Sequence, residues 1–250
     1  MWIQVRHVQF TVTTTLVEFL LIGSRQQISK TSSPTITIGE TLVDCSEKAR
    51  NFGVIFDSNM TMESHISKVV RAASFHLRNI SKIRKYLTLS STEQLIHSFV
   101  TSRLDMCNSL LYGLPKKQIH RLQLLQNTAA RIVTMSKKSN HITPILKNLH
   151  WLPVSHRINY KILLIVFKSL NGCAPSYVQD LLKLYVPLRN LRSGDKFLLR
   201  EPKSYHSWGD RSFRVAAPRL WNQLPLKIRL SSSVEIFKTK LKSHLMCDAF

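Results

Sequence analysis

The sequence predicts an α+β fold that is mostly α: a small N-terminal antiparallel β sheet, then a helical bundle, then a C-terminal helical region. Three observations carry this. Val, Thr, Ile and Phe dominate short runs before residue 58, the apolar period changes to 3.6 from Thr61 onward, and 44% of the 250 residues are hydrophobic, an ordinary content for a folded chain.

Strands are expected at Val8 to Thr13, Val17 to Ile22, Thr35 to Ile38, Thr41 to Asp44 and Phe52 to Phe56, with Gly39-Glu40 as a hairpin turn. The run Val8 to Ile22 is interrupted by Gln9, threonines and Glu18, so it is too short and too polar to span a bilayer; paired strands are favoured over a degraded signal or transit peptide with Arg6 ahead of it. From Thr61 a helix of about 25 residues is expected, with Ile66, Val69, Ala73, Leu77, Ile80, Ile83 and Leu87 as its buried stripe.

The next helix should open on a capping box of Ser90 and Glu93. Its stripe is Leu95, Ile96, Phe99, Val100, Leu104, Cys107 and Leu111, and Gly113 with Pro115 ends it. A third helix starts near Pro115 and buries Ile119, Leu122, Leu125, Ala129 and Ile132. The short links make these three helices antiparallel neighbours.

Beyond them a short helix is expected at Ile142 to Leu149. A longer, central one comes next at Ser155 to Leu170, carrying Ile158, Ile162, Leu163, Ile165, Val166 and Phe167, and a further short one runs from Pro175 to about Tyr185. Residues 186–207 read as a flexible basic loop holding Arg189, Arg192, Lys196, Arg200 and Lys203. The chain closes with an apolar segment, Phe213 to Leu224, and a helix from Ser232 with Glu235 as capping partner and Val234, Phe237, Leu241 and Leu245 as stripe. The division expected is 1–60, 61–136 and 137–250.

Lys and Arg number 36 against 14 Asp and Glu, giving a formal charge of +22. Such self-repulsion calls for a polyanion, and nucleic acid, RNA or DNA without sequence preference, is the partner class indicated. A membrane surface fits less well, because the cations are interleaved with core-type residues rather than gathered into one tract. Cys45, Cys107, Cys173 and Cys247 are too scattered for a zinc pair or a disulfide scaffold, which indicates a reducing intracellular compartment, nucleus or cytoplasm.

Nucleotidyl transfer needs two carboxylates converging on two metal ions, and the sequence holds no Asp-Asp pair. No GxxxxGK or GxGxxG is present. Glu93 and His97 share a helix face without a third ligand, and the spacings of His141, His150 and His156 fit no zinc pattern. No catalytic residue, metal site or cofactor is therefore expected. The positive signal lies in the cations Lys68, Arg71, Arg78, Lys82, Arg84 and Lys85 of the first helix, which accompany one acid, Glu63; Lys116, Lys117 and Arg121 extend it to the third. Such groups track phosphates without reading bases. The plainer reading, a solvated face, usually mixes signs. Trp151, Trp208 and Trp221 could stack on unpaired bases, but their apolar contexts favour burial.

The strings HLRNISKIRKYL, LIHSFVTSRLDMCNSLLYGLP, LQNTAARIVT, HITPILKNLHWLPVSHRINYKILL and FRVAAPRLWNQLPLKIR are similar to those of reverse transcriptases of non-LTR (LINE-type) retrotransposons, downstream of the catalytic centre. The resemblance covers roughly Glu18 to Phe250. It implies the end of a polymerase palm, a thumb-like bundle at 61–136 and a C-terminal domain. EFLLIGSRQQ resembles the strand after the catalytic turn, but Leu16, Val17 and Glu18 stand where the family has Lys-Thr-Glu. RNFGVIFDSNM, Arg50 to Met60, resembles the primer-grip hairpin, with Phe52, Gly53 and Val54 at its turn; the plainer reading is a buried strand with a glycine bulge.

The resemblance therefore implies a truncated RNA-directed DNA polymerase fragment, binding nucleic acid but not catalytic by itself. Magnesium is expected only with the family's whole polymerase, whose other parts are further candidate partners. Two alternatives stay open: a host-adopted nucleic-acid or protein-interaction module, and an element relic without selected activity.

Overall fold

The computed structural model describes residues 18–30, 35–186, 197–204 and 207–250. They form two compact units, the first ending at His65 and the second running from Ile66 to Phe250. The fold is mostly α with a small N-terminal sheet region and a helical bundle.

The first unit contains β1 (Phe19–Leu20), α1 (Arg25–Ile28), β2 (Thr35–Ile38), β3 (Thr41–Ser46), β4 (Lys48–Asn51) and β5 (Val54–Asp57). β2 and β3 pair antiparallel through the expected turn, where Gly39 has a φ of 63° that a side chain would disfavour. β1 pairs with β3 in parallel, Phe19 opposite Cys45, so the three-stranded sheet is mixed rather than wholly antiparallel. The chain between β1 and β3 supplies α1 and β2 instead of a tight turn, which lets β1 meet β3 in the same direction. Of the expected strand Val17 to Ile22 the described residues form only β1; Val17 and the strand expected at Val8 to Thr13 lie outside the described residues. β4 and β5 make a separate hairpin. After it Asp57 fixes the chain direction: its carboxylate accepts from the Thr61 and Met62 amides at 2.9 and 2.8 Å.

The next helices are α2 (Glu63–Ile83), continued by a 3₁₀ turn (Arg84–Tyr86), α3 (Leu89–Ile96), a π-helical turn (His97–Thr101), α4 (Ser102–Asp105), a 3₁₀ turn (Asn108–Leu111) and α5 (Lys116–Thr134). On α2, Ile66, Ala73, Leu77 and Ile80 are buried as expected, whereas Val69 and Leu87 are half-buried and Ile83 is exposed. Ile83 lies about 90° round the helix from the centre of the buried stripe.

α3 is capped by Thr88, not by the Ser90 and Glu93 box: Thr88 is extended and its Oγ1 accepts from the Ser91 amide at 3.1 Å, which leaves Ser90 inside the first turn. The buried residues then recur every four positions, Thr92, Ile96, Val100, Leu104 and Asn108. An α-helix would drift about 40° at each such step, and the π turn, seen in the Ser102 amide bonding His97 O, locally widens the spiral to hold them toward the core. Of the expected stripe Ile96, Val100, Leu104 and Leu111 are buried, and three residues depart from it. Phe99 is exposed and Leu95 half-buried, while Cys107, at a φ of 52°, breaks the helix and faces outward.

His76 of α2 touches Phe99 and Arg103, while Ser67 and Arg84 reach Arg121 and Ile132 of α5. The short link between Ile83 and Leu89 with the His76 contacts turns α3 and α4 back along α2, and the two α5 contacts make α5 parallel to α2, an up-down-up bundle. α5 buries Leu122, Leu125 and Ala129 as expected, with Ile119 and Ile132 half-buried.

Further on come α6 (Ile142–Asn148), α7 (Val154–Leu170), α8 (Ser176–Gln179), α9 (Ser207–Arg211), α10 (Phe213–Gln223), α11 (Leu226–Arg229) and α12 (Val234–Ala249). α7 is central, packing against α5, α10 and α12. Its entry is clamped by α5: Gln123 Oε1 accepts from the Val154 amide at 2.8 Å and Gln126 Nε2 donates to Leu152 O at 2.9 Å. Phe167 stacks on Phe237 of α12 at 4.1 Å between centroids, beside the fully buried Trp221. α12 is capped by Ser233, one residue later than expected.

The helix expected from Pro175 to Tyr185 ends at Gln179, because Leu184 instead bridges to Leu199. That bridge corrects part of the expected flexible loop. Residues 197–204 are anchored: Trp221 Nε1 donates to Phe197 O at 3.0 Å, and the Asn222 side chain bonds both the amide and the carbonyl of Leu199 at 2.9 Å. Arg189, Arg192 and Lys196 lie outside the described residues.

Candidate nucleic-acid interface

α2 sorts its residues by angle. At about 100° per residue, Arg71, Arg78 and Lys82 fall within some 40° of one another, opposite the buried Ile66, Ala73, Leu77 and Ile80, with Lys68 beside them. All four cations are exposed, and none is in an ion pair among the described residues. Lys85 is also exposed and rests 4.8 Å from the centroid of Tyr86. The face is a row of solvated positive charge about 16 Å long from Arg71 to Lys82.

Two of the expected contact residues are engaged in the fold. Arg84 donates from Nε to Ile132 O at 2.9 Å, from Nη2 to Val133 O at 2.8 Å and from Nη1 to Leu87 O at 2.8 Å. It closes the C-terminus of α5, where the helix dipole favours a cation. Arg121 bridges α5 to α2 by donating to Ser67 Oγ at 2.9 Å, and to Gln118 Oε1 at 3.1 Å. Both are half-buried positioning residues. Lys116 and Lys117 are exposed on the first turn of α5.

Between α2 and α5 runs a groove of about 480 Å³, lined by Leu77, Leu125 and Ile132 together with Arg78 and Arg121. Trp151 and Trp221 are buried in the core, as their sequence contexts suggest, and Trp208 is half-buried. Phe52 and Gly53 form a two-residue turn between β4 and β5, with φ of 44° and 83°, while Val54 is buried. This is a hairpin of the primed type rather than a glycine bulge. It belongs to the first unit and leaves Phe52 88% exposed.

The structure adds a group that the spacing of cations alone does not single out. Phe75 lies in the middle of the basic face, 54% exposed, and meets the ring of His76 edge-on at 5.5 Å. His76 in turn stacks on Phe99 at 4.9 Å and 19°. Arg103 Nη2 is 3.4 Å from His76 Nε2. The position of Phe75, four after Arg71 and three before Arg78, is a usable signal in the sequence; Phe99 is hidden in a stripe that the π turn displaces.

Among the described residues no group of three or more His, Cys, Asp or Glu could hold a metal ion, and no helix is long and apolar enough to cross a membrane. Comparison with protein-family models, curated proteins and solved structures finds no match.

Proposed function

We propose that this chain binds nucleic acid, RNA or DNA, without reading its sequence, through the outward face of α2. We further propose that it corresponds to the part of a LINE-type reverse transcriptase downstream of the catalytic centre. The observation that carries the binding reading is the row Lys68, Arg71, Arg78 and Lys82, exposed on one face and outside any ion pair among the described residues. Uncompensated cations along a rigid helix release counterions when they meet phosphates, which supplies affinity without specificity.

The family reading rests on strings such as HLRNISKIRKYL and LQNTAARIVT. The order of a hairpin at Arg50 to Met60 and then an up-down-up bundle supports it. These residues hold and orient a polyanion; nucleotidyl transfer is not assigned to them, since the sequence has no Asp-Asp pair and lacks the Lys-Thr-Glu of the family's strand. Other parts of such a polymerase are the protein partners this reading implies.

Two variants of equal charge test the binding face. One carries Lys68, Arg71, Arg78 and Lys82→Gln; the other carries Lys138, Lys161, Lys227 and Lys242→Gln, all exposed and off α2. Measured by fluorescence anisotropy at one salt concentration, the α2 variant should bind a short duplex at least tenfold more weakly than the control variant. Equal losses would make binding a matter of net charge and overturn the assignment to α2.

A further inference from the structure

The basic face of α2 is not uniformly polar. Phe75 and Phe99 are 54% and 41% exposed, and the His76 ring between them joins the two helices into one aromatic surface. Keeping large apolar rings in water is unfavourable, and these are neighbours rather than scattered single residues. The π turn that faces Phe99 outward is an uncommon element, found often where a side chain has been re-aimed for function.

Charge decides what such a surface suits. Arg71, Arg78 and Lys82 share the face of Phe75, Arg103 lies four residues beyond Phe99, and no acidic residue occurs within four positions of either phenylalanine along the chain. An apolar peptide would leave those cations unanswered, and an acidic peptide would leave the rings unanswered. A single nucleic-acid strand answers both, because it alternates phosphates with flat rings that are free to stack. Paired bases of a duplex present only their edges to a protein. From Arg71 to Lys82 the face is about 16 Å long, room for four or five nucleotides at about 3.4 Å each.

We propose that Phe75, His76 and Phe99 form a stacking platform for unpaired bases of a single strand, whose phosphates are held by Arg71, Arg78, Lys82 and Arg103. This rests on the reading of α2 as a phosphate-contacting face and narrows its substrate to single-stranded or locally unpaired nucleic acid. Base contact here is sequence-tolerant, since every base has a π face.

The test uses the full chain with three probes of equal length: a single strand containing 2-aminopurine, the same strand with abasic sites at its centre, and the blunt duplex. The expected result is that the single strand binds roughly tenfold more tightly than the abasic one, with 2-aminopurine fluorescence changed on binding. Phe75→Leu with Phe99→Leu should abolish both effects while duplex affinity stays the same. Phe75→Leu alone, at the more exposed site, should reduce both and serves if the double variant does not fold.

If the wild type binds all three probes equally with no change in fluorescence, the platform is overturned and the phosphate reading survives. If it binds none of them, the reading of α2 itself fails and the platform with it. If sedimentation shows a dimer that the double variant dissolves, the rings are a self-association surface and the platform is likewise overturned.

Discussion

Arg84 lies at the end of α2 and its guanidinium donates to the carbonyl of Val133, in the last turn of α5, at 2.8 Å. Its Nε takes the preceding carbonyl, that of Ile132. Met135, at a φ of 54°, lets the α5 backbone fold over on itself, with the Ser136 amide bonding Arg131 O. Two carbonyls of that last turn are thereby bonded by a side chain from outside the helix. A residue that composition marks as a phosphate contact is a structural clamp.

Replacing Arg84 by Gln should therefore lower stability by about 2 kcal/mol, because charged donors to three carbonyls are lost. Thermal unfolding should shift down by roughly 4–8 °C. Lys at this position should restore little of that, since an ammonium cannot span two carbonyls as the planar fork does. A folded Arg84→Gln variant with unchanged melting and weakened binding would return Arg84 to the interface.

Asp105 of α4 and Arg157 of α7 form a two-pronged pair, Arg157 Nε donating to Oδ1 at 2.8 Å and Nη2 to Oδ2, with Asn108 Nδ2 also donating to Oδ1 at 3.3 Å. The guanidinium side is mostly buried. Asp105→Asn should cost about 2 kcal/mol by leaving that cation unmatched. A double-mutant cycle with Arg157→Ala, read by urea unfolding, should return a coupling of about 1 kcal/mol or more. Coupling near zero would mean that the pair adds nothing to the α4 and α7 packing.

Gly113 sits at a φ of 68°, and a Cβ there would come within 2.6 Å of Arg211 Cγ. Gly113→Ala should destabilise by about 2 kcal/mol, from the left-handed backbone together with the forced movement of the arginine stem. An unchanged unfolding midpoint would show that the link between α4 and α5 adapts freely.

Much of this architecture is legible in the residues. The helical periods locate α2, α5 and α7, because their buried residues keep the ordinary spacing, and Gly39 marks its turn through a backbone requirement. The α3 to α4 stretch misleads because its core spacing is four, which a sequence window cannot separate from a 3.6 period over so few turns. The parallel β1 pair and the anchored residues 197–204 are illegible for another reason. They depend on partners distant in sequence, Cys45 for Phe19 and the side chains of Trp221 and Asn222 for Phe197 and Leu199. The same limit governs the interface: spacing alone places the cations of α2 on a face, but it does not reveal the engagement of Arg84 and Arg121 with neighbouring helices.

The phosphate contacts of α2 are read from the salt dependence of duplex DNA binding. With Lys68, Arg71, Arg78 and Lys82 available on α2, Lys85 on the 3₁₀ turn after it and Arg84 withdrawn into the fold, about five phosphates are neutralised. The slope of log affinity against log salt should then be near −4, with micromolar or weaker affinity. Replacing Lys68, Arg71, Arg78 and Lys82 by Gln while keeping Arg84 should flatten the slope to about −1 with the melting temperature unchanged. A folded variant that keeps the wild-type slope and affinity would contradict the account and place the phosphate contacts away from α2.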